Sequence, residues 1–86
     1  MRHTRPETLA EYLLRLRPET EADMEAALTD RAIGMAEAAA LQREVRALEE
    51  KRADLARHRA HPRNIDRLSR DLILLRRARA QLEVDP

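Results

Sequence analysis

The chain has 86 residues, with 17 lysines and arginines against 16 aspartates and glutamates, and a net charge of +1. It has no cysteine, which excludes disulfides, thiolate metal sites and a cysteine nucleophile. Charged residues make up 38%, Tyr12 is the one aromatic residue and Gly34 the one glycine, so strong helix formers dominate and the expected class is all-α.

A domain of this size buries a modest fraction of its surface, and without disulfides it depends on regular helix packing or on association. No segment approaches the roughly 20 apolar residues that span a bilayer, and the N-terminal residues lack the apolar core of a signal peptide. The expectation is a cytoplasmic protein that does not enter a membrane. Lys51 is the only lysine among many arginines, a bias expected of a GC-rich bacterial or phage-like coding sequence.

The first predicted element covers residues 6–17. Thr4-Arg5-Pro6-Glu7 has the form of a capping box, and Pro6 suits a first helical turn. Leu9, Tyr12, Leu13 and Leu16 recur at helical spacing as one apolar stripe, and Pro18 ends the helix. Two turns of stripe cannot be stable alone. These four residues are expected either to bind a larger protein partner or to pack on the chain itself.

The second predicted element is a long helix over residues 20–60, opened by Thr20 with Glu21, Asp23 and Glu25 in its first turns. If continuous it would span about 60 Å. Thr29-Asp30 and Gly34 are the weak points where it could break. Leu41, Val45, Leu48, Arg52 and Leu55 then form a heptad seam with one arginine in it.

His61-Pro62-Arg63-Asn64 is the predicted turn, with Asn64 as N-cap of a return helix over 64–82. Ile65, Leu68, Leu72, Leu75, Arg79 and Leu82 alternate steps of three and four, and Ile73 and Leu74 widen the stripe. The short connection makes the two helices antiparallel neighbours, with Leu48 and Leu55 facing Leu68 and Leu75. The expected architecture is a single domain over 1–86, a coiled-coil-like helical hairpin preceded by a short helix. The return helix, about 28 Å long, covers half of the long one. That mismatch points to a homo-oligomer joined through Met24, Leu28, Met35, Ala38 and Leu41.

Charge is segregated. Residues 18–40 are acidic but for Arg31, and the segment from Lys51 onward is rich in arginine. Acidic and basic halves of neighbouring subunits can pair. Alternatively, Arg63, Arg67, Arg70, Arg76, Arg77 and Arg79 can contact DNA phosphates. The blander reading is a solvated face with pairs such as Asp66–Arg70.

Catalytic chemistry has little to stand on. Ser69 is the only serine and no glycine-rich loop exists. Asp54, His58 and His61 share a helix face but fall short of a zinc ligand set, so no metal, cofactor or catalytic residue is expected. The expectation is a non-enzymatic structural protein.

The stretch carrying Leu41, Leu48 and Leu55, the His61-Pro62 turn, then Asp66, Leu68, Leu72 and Leu75 resembles the small bacterial helical-hairpin proteins of the YdcH and SlyX type. The lysine-rich second arm of that family is replaced here by arginines. In architecture, Met24 through Leu82 is similar to the oligomerisation hairpin of phage small terminase subunits, which form rings and recruit the large terminase. That likeness implies ring formation and DNA packaging, with partner recruitment by Tyr12 and its neighbours.

Overall fold

A computed structural model describes residues 6–59 and 61–83. The described residues form four helices and no strand: α1 (Leu9–Leu16), α2 (Glu21–Arg31), α3 (Met35–Arg57) and α4 (Pro62–Leu82).

α1 begins later than the sequence reading placed it. Its capping box is Thr8 with Glu11: the Thr8 hydroxyl accepts from the Glu11 amide at 3.1 Å, and the Glu11 carboxylate accepts from the Thr8 amide at 2.9 Å. Pro6 precedes the helix, and Thr4 lies outside the described residues. Arg17, in the left-handed region at φ 51°, closes α1 one residue before Pro18. Thr20 caps α2 by accepting from the Asp23 amide at 3.0 Å.

The long helix over 20–60 is two helices. α2 stops at Ala32, which adopts φ 56°, and Gly34 restarts the chain as the extended N-cap of α3. The break falls at one of the two weak points, and its consequence is large: α2 folds back onto α4 instead of extending α3. The arm mismatch that argued for an oligomer is therefore absorbed within the chain. Met24 and Leu41 are 0% and 1% exposed, and Leu28 is buried with them.

α3 and α4 pack against each other. Gln42 reaches Glu83, Glu49 reaches Arg76 and Arg52 reaches Ser69, so α4 runs back along α3. The cap of α4 differs from expectation. His61 Nδ1 accepts from the Arg63 amide at 3.1 Å and Pro62 takes the first helical position, so Asn64 lies inside the helix.

One core runs through the base of the molecule. Leu9, Ala10 and Leu13 of α1, Met24, Ala27 and Leu28 of α2, Leu41 and Val45 of α3, and Leu72, Leu74, Leu75 and Ala78 of α4 are buried together. α1 lies against both α3 and α4. Polar contacts fix its hairpin with α2. Tyr12 donates its hydroxyl to the Ala27 carbonyl at 2.8 Å, and Arg31 donates to the Glu7 carbonyl at 2.6 Å. From α4, Arg77 donates to the Glu19 carbonyl and Gln81 to the Glu21 carbonyl.

That cover stops halfway. From Arg46 to Arg67 no described residue is buried. The hairpin there is a two-helix arm with no third helix on it. The radius of gyration of 14.1 Å exceeds the roughly 12 Å of a compact chain of this length, as a projecting arm requires.

Candidate interaction surface

The arm has its own groove. Leu48, Lys51 and Leu55 of α3 and Asn64, Arg67, Leu68 and Asp71 of α4 line a depression of about 410 Å³. It begins where α1 ends, because Asp71 at its edge also meets Arg17, the C-cap of α1. Asp71 Oδ1 is shut off from solvent and receives no directed hydrogen bond; the Arg17 guanidinium, with Nη1 at 2.8 Å, is its counter-charge. Leu48 and Leu55 are half-buried, as is Ile65 further along α4.

The rim is basic. Between residues 51 and 70 the sequence places seven lysines and arginines against Asp54 and Asp66. Arg63, Arg67 and Arg70 follow one another at steps of four and three and line one depression with Asn64 and Asp66. None of the three, nor Lys51, has an ion-pair partner among the described residues. The expected Asp66–Arg70 pair does not form.

The six arginines grouped by sequence therefore separate. Arg76 is held by Glu49, with Nη2 2.6 Å from its carboxylate, and Arg77 is turned to the Glu19 carbonyl. Arg79 sits at the other end of α4, beside Leu41 and Leu82. Only Arg63, Arg67 and Arg70 make a free row. Lys51, which opens the basic segment but was not grouped with the DNA-contacting arginines, joins them from α3; its place on the flank of the Leu48–Leu55 seam is the signal that marks it.

The four residues proposed to bind a partner also separate. Leu9 and Leu13 are buried in the chain's own core, and Tyr12 is half-buried with Arg15 and Arg31 over its ring at 5.6 Å and 5.1 Å. Only Leu16, 44% exposed, is open. Of the proposed oligomer contacts, Met24, Leu28 and Leu41 are buried within the chain, Ala38 is half-buried and Met35 is 90% exposed.

Electrostatics at the base are locally satisfied. Glu37 accepts a fork of two hydrogen bonds from Arg31, which hold its carboxyl below the ordinary glutamate value. Glu7 is lowered in the same way by Arg15. α2 differs. Its carboxylates Glu21, Asp23, Glu25 and Asp30 are exposed and form no ion pair among the described residues; Arg31 is occupied by Glu37, and Arg77, which lines a depression with Glu21 and Glu25, donates to the Glu19 carbonyl instead.

The histidines do not converge on a metal. His58 Nδ1 lies 2.8 Å from the Asp54 carbonyl, His61 caps α4, and no group of three ligand-type side chains gathers among the described residues. Ser69 accepts from Arg52 Nε at 2.6 Å. No helix among the described residues is long and apolar enough to cross a membrane. Comparison with family models, with curated proteins and with solved structures finds no match to this chain.

Proposed function

We propose that this is a non-catalytic assembly protein in which a small four-helix base holds out the α3–α4 arm as a docking element. By that arm the chain joins copies of itself and scaffolds a larger protein. The observation that carries the reading is the arm's groove, with half-buried leucines under a rim of unpaired cations. A two-helix hairpin gains little from burying its own seam on one side only. An apolar groove rimmed by charge is the usual anatomy of a protein interface. The arm also adds little to the base, because of the buried core residues only Leu68 lies within residues 46–68, and Leu48 packs on the core from its edge.

The test is a photo-crosslinking amino acid placed at Leu55 in the arm and, as control, at exposed Arg46 on α3. The assembly role predicts discrete adducts, with copies of the chain or a larger protein, from position 55 and none from position 46. Equal adducts from both, or none, would remove it.

A second reading is favoured by the row of Arg63, Arg67 and Arg70. Its span, about 10 Å at 1.5 Å per residue, suits successive DNA phosphates. On that reading the protein handles DNA, as a small-terminase-like packaging subunit would. Retention of duplex DNA that falls steeply with salt and disappears on reversing the three arginines to glutamate would support it.

A further inference from the structure

Resting on the assembly role proposed above, we infer that the arm of one copy docks on α2 of a second copy, head to tail. One chain carries an unpaired basic row on the arm and an unpaired acidic row on α2, and the two do not meet within it. Lys51, Arg63, Arg67 and Arg70 stand unpaired around the arm groove. Glu21, Asp23, Glu25 and Asp30 stand exposed and unpaired along α2.

The two cannot meet within one molecule. α2 is tied to the far end of α4, where Gln81 donates to the Glu21 carbonyl, and Arg70 stands about 16 Å up that helix from Gln81. From there α2 runs away from the arm, to the Arg31–Glu37 pair at the start of α3. Between copies the rows agree in pitch. Glu21 and Glu25 stand one turn apart on α2, as Arg63 and Arg67 do on α4.

Charge also selects against the other pairing of copies. Two arms set together bring like-charged rims into contact, which costs free energy that a head-to-tail contact regains. Surface ion pairs contribute little one at a time, so the leucine groove must be covered as well. The second copy brings Met35 for this; it is 90% exposed and follows α2 across the Ala32–Gly34 break. Each copy has one arm and one α2, so the contact is heterologous and repeats from copy to copy.

The experiment is sedimentation velocity on the full chain and two charge-reversed variants. One carries Arg63→Glu, Arg67→Glu and Arg70→Glu; the other carries Glu21→Lys, Glu25→Lys and Asp30→Lys. The expected result is a wild-type multimer at low salt and a monomer for each variant alone. An equimolar mixture of the variants should then associate, because the acidic arm of one meets the basic α2 of the other. Should a variant lose its helical circular dichroism, single-cysteine chains serve instead, since the protein has no cysteine of its own. Under mild oxidation Arg67→Cys should couple to Glu25→Cys in preference to itself.

Multimers that persist in both reversed variants would overturn the arm-to-α2 contact while leaving the assembly role standing. A wild-type monomer at every concentration would overturn the contact and, with it, the joining of copies, leaving only the docking of a larger protein. A monomer that binds duplex DNA through the arginine row would replace them with the nucleic-acid reading.

Discussion

The hydroxyl of Tyr12 donates to the backbone carbonyl of Ala27 at 2.8 Å, and this bond joins α1 to α2 across the base. The ring is held between Arg15 and Arg31, so the only aromatic residue of the chain acts as an internal brace. Tyr12→Phe removes the bond and keeps the ring. It should cost about 1 kcal/mol, the usual worth of a partly shielded hydrogen bond. Urea unfolding should show a lower midpoint with an unchanged slope.

Core and arm should respond differently to the same truncation. Leu75 is 0% exposed at the centre of the base, and Leu75→Ala should cost about 2–5 kcal/mol, a large part of a small domain's stability. Leu72→Ala belongs with it. Leu55 is half-buried in the arm groove, so Leu55→Ala should cost about 1 kcal/mol or less at a protein concentration where the chain is monomeric. Equal melting shifts for Leu75→Ala and Leu55→Ala would mean the arm is covered as the base is.

The turn between α2 and α3 holds a correctable strain. Ala32 occupies the left-handed region at φ 56°, where a Cβ is unfavourable and glycine is at ease. Ala32→Gly should therefore stabilise the fold by about 0.5–1 kcal/mol, net of the greater freedom of glycine in the unfolded chain. Thermal melting of this single variant checks the break directly. In a continuous helix the same change would destabilise by a similar amount.

Acid should loosen the base. Arg31 lowers the Glu37 carboxyl in the folded chain, and Arg15 lowers Glu7. Between the folded and unfolded values the unfolded state binds more protons, so stability rises with pH there. The contribution is complete above the ordinary glutamate value of about 4.3 and is lost as pH falls through the lower folded values. Glu37→Gln should flatten this dependence at the acid end. Melting temperatures of wild type and variant that run parallel from neutral pH to about pH 3 would contradict it.

Much of this architecture is legible in the residues. The repeats of Leu41–Leu55 and Ile65–Leu82 announce two helices, each with one apolar face, and the four residues between α3 and α4 leave them room only to be neighbours. The ends of helices are harder. Thr4–Glu7 and Thr8–Glu11 both satisfy the capping pattern, and the chain uses the second. His61 is not a preferred cap, yet its Nδ1 reaches the Arg63 amide because Pro62 fixes the first turn. The break is announced by Thr29-Asp30 and Gly34, but its position at Ala32 is not, since alanine rarely enters the left-handed region. With the break left open, the sequence could not say where α2 goes, nor what covers Met24, Leu28 and Leu41. The arm groove was hidden for another reason: the end of α1 at Arg17 is legible, but its place level with Asp71 is a tertiary contact that no local pattern carries.

The central claim is that the arm is an assembly element driven by charge. Light scattering on size-separated protein in about 0.1 M and about 1 M salt tests it most directly, because the Debye length falls from about 10 Å to about 3 Å between them. The account predicts a defined multimer at the lower salt that dissociates at the higher. A monomer in both, or a multimer indifferent to salt, would contradict it.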